Sequence, residues 1–133
     1  MTIQITAALK NARLQATLAY IDTGPDAPLV QLYDGTRPAN ADTAPAVGNR
    51  LLVAIPLTQP AGAVLDGVLT LTPEAPGLII LTGTPTWARL VNGAGDAVLD
   101  ADTGVGAGAW EVQLAQTELF AGGDAKITSF ALT

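Results

Sequence analysis

The chain has no cysteine and no histidine among its 133 residues. Without cysteine there is no disulfide framework and no thiolate metal site. Without histidine the commonest general base and the commonest zinc ligand are both missing, so neither a catalytic triad nor a structural zinc site can be built. Charge is scarce as well. Asp, Glu, Lys and Arg make up 14% of the residues, against about 25% in ordinary globular chains. A surface so sparsely ionised suits contact with other molecules better than isolation in water. Aromatic residues are 5% of the chain, and much of its 49% apolar content is alanine, so the expected core is thin or completed by a neighbouring subunit. No run approaches the roughly 18 apolar residues of a membrane span, and no basic stretch followed by an apolar run opens the chain. The expectation is synthesis in the cytoplasm and no membrane partner.

Basic residues are few and dispersed. Lys10, Arg13, Arg37, Arg50, Arg89 and Lys126 form no cluster, and acids outnumber them 12 to 6. Phosphate-backbone binding draws most of its affinity from clustered Lys and Arg, so no nucleic-acid partner is expected. A phosphate loop is missing too, because Gly93-Ala94-Gly95 falls in a turn between two strands and not between a strand and a helix.

The length fits one domain, residues 1–133. Thr6 to Asp22 is the helix candidate: Thr6 can cap it, no Gly or Pro interrupts Ala7 to Ile21, and Gly24-Pro25 stops it. Ile5, Leu9, Ala12, Ala16 and Tyr20 fall at helical spacing on one face, with Lys10 and Arg13 off that stripe. Leu14, Leu18 and Ile21 form a second apolar stripe. Such a helix needs two surfaces to pack on, its own sheet and, by expectation, another chain.

Strand texture follows. Leu29–Tyr33 ends at the turn signal Asp34-Gly35. Residues 36–50 hold almost nothing to bury and read as a flexible loop or an arm that orders against a partner. Further strands are expected at Leu51–Leu57, Ala63–Thr72, Gly77–Thr82, Thr86–Val91, Ala97–Ala101, Ala109–Ala115 and Ala125–Leu132, with prolines at or near their ends. Asn92–Asp96 closes one hairpin, and Ala121-Gly122-Gly123-Asp124 leads into the last strand. The fold class is mainly β: an antiparallel β-sandwich or barrel, jelly-roll-like or immunoglobulin-like, with one N-terminal α-helix.

Candidate chemistry thins out on inspection. Asp100, Asp102 and Glu111 match positions 1, 3 and 12 of a calcium loop, but Gly104 and Val105 stand where an oxygen ligand and a turn glycine are needed. A hairpin with acidic turn residues accounts for them better. Most other acids sit at turns or helix ends, where aspartate bonds its own backbone. No catalytic residue, metal ligand or cofactor is therefore expected. Trp87, Arg89 and Trp110 make a possible aromatic contact. Trp87 and Arg89 share one strand face, where a guanidinium and an indole could stack, although core packing is the ordinary use of a strand tryptophan.

In order along the chain, several phrases resemble a group of small structural proteins of tailed bacteriophages and prophages. These are Ala8-Leu-Lys-Asn-Ala-Arg-Leu-Gln-Ala16 running to Ile21-Asp22, Leu32-Tyr-Asp-Gly-Thr-Arg-Pro-Ala39, and Gly83-Thr-Pro-Thr-Trp-Ala-Arg89. They continue with Gly95-Asp96, Val98-Leu-Asp100, Gly104, Ala121-Gly-Gly-Asp124 and Ile127-Thr-Ser-Phe130. Pro76-Gly-Leu-Ile-Ile-Leu-Thr82 departs from the group in being more apolar. The resemblance implies a virion component made in the bacterial host's cytoplasm. It implies foremost a head decoration or cement (minor capsid) protein, with the major capsid protein and copies of itself, as a homotrimer, for partners. A tail, neck or baseplate component, structural or receptor-contacting, is the alternative. A carbohydrate-binding β-sandwich using Trp87 or Trp110 is a second one. The assembly interface is expected at Leu14, Leu18, Ile21, Arg37, Leu78, Ile79 and Ile80.

Overall fold

The computed structural model describes residues 3–106, 108 and 110–133. Helix α1 spans Ala7–Ile21, and the Thr6 hydroxyl accepts the Leu9 amide at 3.1 Å, satisfying one of the free N-terminal donors. Past its C-cap Asp22 the chain turns at Gly24 with φ +112, where an added Cβ would overlap the backbone of Gly93 and Ala94. Only glycine lets the helix end press onto that hairpin.

Among the described residues nine strands follow: β1 Leu29–Tyr33, β2 Leu51–Leu65, β3 Val68–Pro73, β4 Gly77–Leu78, β5 Trp87–Val91, β6 Ala97–Val105, β7 Val112–Leu114, β8 Asp124–Ala125 and β9 Ile127–Leu132. Seven of them close into a barrel in the order β1-β2-β3-β9-β7-β6-β5, with β5 pairing back to β1, while β4 and β8 form a separate two-stranded ribbon. The β-rich fold class with one N-terminal helix holds. The all-antiparallel expectation does not, because β6 and β7 run parallel, Thr103 opposite Val112 and Val105 opposite Leu114. β7 thus starts beside Thr103. The strand expected at Ala109–Ala115 is only Val112–Leu114, and its expected first residue lies outside the described residues.

Two expected strands, Leu51–Leu57 and Ala63–Thr72, are cut differently by the chain. β2 runs on through Pro56 and Pro60 to Leu65, and the break falls at Asp66-Gly67, with φ 51 and 76. Positive φ at both central positions is the hairpin geometry that matches strand twist. The prolines fit because the ladder is irregular there: Leu57 pairs with Pro73, and the next pair is Gly62 with Leu71. Only Gly77–Leu78 of the expected Gly77–Thr82 strand is extended and paired.

Alternation along the strands sends Val30, Leu32, Val53, Ile55, Leu57, Ala88, Leu90 and Ala101 into the barrel, all buried. They line up across the sheet, Val30 between Ile55 and Leu90 and Leu32 between Val53 and Ala88. Leu69, Leu71, Val112, Leu114 and Phe130 continue this core, and Ile79, Leu119 and Ala125 add to it from the ribbon side. Helix α1 packs across β2 and β3 through Leu14 and Ile21, with Leu18 partly buried. Two side-chain bonds fix its placement. The Asn11 side-chain oxygen accepts the Gly67 amide at 2.7 Å, and the Asp22 carboxylate accepts the Ala61 amide at 3.0 Å.

Candidate functional site

On the outer face of β1, β5 and β6, the cross-strand register sets Tyr33, Trp87 and Asp102 in one row and Gln31, Arg89 and Asp100 in the next. Tyr33 stacks on Trp87 with ring centroids 4.6 Å apart and planes 12° from parallel. The Trp87 indole N–H donates to the Asp34 carbonyl at 3.3 Å, and the Arg89 guanidinium lies 5.5 Å from the Trp87 ring centroid. Arg89 grips Asp100 with two bonds, Nε to Oδ1 at 2.7 Å and an Nη2 bond to Oδ2 at 2.9 Å. That Nη2 group also donates to the Thr43 carbonyl at 2.7 Å. The expected pairing of Trp87 with Arg89 is present, but Trp87 is 1% exposed. It cannot serve as a platform for an incoming ligand.

The segment 36–50 forms no helix or strand, yet it is tied down over this row. Besides the Arg89–Thr43 bond, Asn49 exchanges two bonds with the Thr36 backbone at 2.9 and 2.8 Å, and Arg37 pairs with Asp102 at 3.3 Å. Arg50 braces the loop base, its amide and Nε donating to Asp34 at 2.7 and 2.8 Å. Burial pushes the Asp34 carboxyl up, but the Arg50 amide, guanidinium bonds and positive charge outweigh it, so Asp34 titrates below its usual value. The side-chain bond to Asp100 raises the Arg89 pKa despite the opposing cost of burial. Burial, the largest influence, also raises the Tyr33 phenol. Asp100 and Asp102 belong to β6 and are engaged by Arg89 and Arg37, so they are not the acidic turn residues expected. Among the described residues no group of three or more acidic side chains is placed to hold a metal ion.

The expected assembly residues divide. Leu14 and Ile21 are taken up by the chain's own core, as is Ile79, so these three present nothing to a partner. Leu18 packs against the same core, half-buried. Leu78, Ile80 and Arg37 are exposed. The structure thus exchanges the roles of the two helix stripes. Leu9 (47% exposed) and Tyr20 (49%) face solvent, together with Ala12 and Ala16, on the side of α1 opposite Leu14 and Leu18, and Ile5 (40%), just ahead of the cap, is exposed as well. A second apolar surface lies on the ribbon, where Ile79 and Leu119 turn inward while Leu78, Ile80, Leu81 and Phe120 stay exposed. The segments holding them are joined by backbone bonds between Ile79 and Gly123, Gly122 and Ile79, and Gly83 and Leu119. Phe120 was missed in the sequence reading. Its signal was a large aromatic beside the polar turn Ala121-Gly-Gly-Asp124, where nothing local could bury it.

A cleft of about 340 Å³ opens beside Trp110, bordered also by Thr84, Thr103, Gln116, Thr117 and Val105. The Trp110 indole N–H donates to the Gly106 carbonyl at 2.8 Å. The ring lies against Gly104, where any Cβ would overlap it.

Comparison with known proteins gives no match at any level: no family model, no curated protein and no solved structure aligns significantly with this chain.

Proposed function

We propose that this chain is a non-enzymatic structural subunit of a tailed-phage particle, a head decoration or minor capsid protein that holds neighbouring capsid subunits together. One observation carries the reading. Helix α1 sets the stripe Leu9, Ala12, Ala16 and Tyr20 in solvent on the side away from the core, with Ile5 exposed just ahead of the Thr6 cap. Apolar side chains scattered singly over a surface need no explanation, but a continuous line of them on an isolated helix face does. Leu78 of the ribbon, with Ile80 and Leu81 just beyond it and Phe120 beside them, adds a second such surface, three of the four lying in the Pro76–Thr82 segment where the chain departs from the phage group it resembles. The low charge content and the lack of histidine and cysteine agree with work done by adhesion.

The partners proposed are the major capsid protein and further copies of this chain, as a trimer. Burial across subunit boundaries contributes about 25 cal/mol per Å² before association costs of several kcal/mol. Repetition over a lattice then turns modest single contacts into firm attachment. No cofactor, nucleic acid or membrane enters this reading. Electron microscopy of particles carrying a labelled copy tests it. Label distributed over the heads is expected, and label confined to tail, neck or baseplate would replace decoration with the tail reading.

A further inference from the structure

We infer that the cleft beside Trp110 binds a neutral sugar ring. Its position follows from the one parallel pair in the barrel. Because β6 and β7 run the same way, their C-terminal ends, Val105 and Leu114, fall at one end of the barrel. β5 is antiparallel to β6, so Thr84 and Pro85, which precede it, reach that same end. The cleft lies at this mouth, a common place for small-molecule sites in β-barrels, and its volume of about 340 Å³ lies within the range such sites occupy.

The lining selects the ligand class. Trp110 is half-buried and doubly fixed, by its bond to Gly106 and by its contact with Gly104, so the indole is a preorganised surface. Thr84, Gln116 and Thr117 surround it with exposed hydroxyl and amide groups. No charged side chain lines the cleft, and the chain's net charge is −6. A phosphate or carboxylate ligand would find no counter-charge there. A purely apolar ligand would desolvate the Thr84, Gln116 and Thr117 side chains without pairing them. A pyranose ring meets both demands, with its C–H face on the indole and its hydroxyls toward Thr and Gln.

This inference is independent of where the chain assembles, and calorimetric titration of the whole protein tests it. The probes are glucose-, galactose-, mannose- and N-acetylhexosamine-based oligosaccharides, with a proline-rich peptide alongside. At least one saccharide is expected to bind with a dissociation constant of about 1 mM or tighter. Trp110→Leu should abolish that binding. Gln116→Leu, which keeps the side-chain bulk and removes the exposed amide, should weaken it about fivefold; it carries the test if Trp110→Leu unfolds. Trp87 is buried and stacked on Tyr33, so a matching change in tryptophan emission would report Trp110. No binding by any saccharide, binding unchanged in both variants, or binding of the peptide in place of saccharides would each overturn the inference.

Discussion

Exchanging charge into the two stripes of α1 should separate folding from assembly. Leu14 is 7% exposed and sits in the core. Truncating a core leucine costs about 2–5 kcal/mol, and an unpaired carboxylate there adds a desolvation cost of similar size or larger. Total domain stability is only about 5–15 kcal/mol, so Leu14→Asp should leave little or no folded protein. Leu9 is 47% exposed, so its burial within the chain contributes roughly 1 kcal/mol. Position 9 lies in the first helical turn after the Thr6 cap, where an acidic side chain gains about 0.3–1 kcal/mol from the helix dipole. Leu9→Asp combined with Tyr20→Gln should therefore fold with a urea midpoint close to that of the parent chain. Assembly should behave in the opposite way. Covering the exposed halves of Leu9 and Tyr20 is worth about 2 kcal/mol per contact, which corresponds to roughly thirtyfold in affinity. Sedimentation velocity, alone and with purified capsid shells, measures this loss. A Leu9→Asp/Tyr20→Gln protein that is folded and still associates like the parent chain would refute the reasoning, as would a Leu14→Asp protein of unchanged stability.

Two further perturbations probe the loop and its anchors. The Arg89 and Asp100 side chains are 7% and 6% exposed, so Arg89→Ala should destabilise the fold by about 3–5 kcal/mol by stranding a buried carboxylate. It should also speed proteolysis within residues 36–50 by freeing the Thr43 carbonyl. Adding Asp100→Ala should recover much of the stability and none of the protease resistance, and a single-variant loss below about 1 kcal/mol in urea unfolding would contradict the assignment. Asp34 supplies the acid dependence. Its folded pKa lies below the unfolded value of 3.8, so its contribution is present above that value and disappears as pH falls through the lowered one. Asp34→Asn should flatten the decline of the urea midpoint in this acid window; an unchanged decline would mean that the Arg50 pairing contributes nothing to stability.

How far the residues alone foretold this molecule depends on how local each signal is. The helix was legible because its cap, its uninterrupted interior and its Gly-Pro stop all lie within its own length. The Asn92–Asp96 hairpin was legible for the same reason, closing with the Asn92 amide donating to the Asp96 carbonyl at 2.9 Å. The break at Asp66-Gly67 carried an equally local signal but was passed over, because apolar Val64-Leu65 and Val68-Leu69 on either side read as one strand. The closure of the sheet and the parallel β6–β7 pair depend on partners distant in sequence, and no single window shows them. The helix makes the sharpest case. Periodicity revealed two apolar stripes, but spacing alone does not say which one the barrel takes; the stronger apolar character of Leu14, Leu18 and Ile21, beside a stripe that includes two alanines and a tyrosine, was the cue passed over. The placement is also held by Asn11 reaching the Gly67 amide and Asp22 the Ala61 amide. These polar bonds, one from the flank of the inner stripe and one from the helix C-cap, fix the helix rotation, and so settle which apolar face is left to solvent.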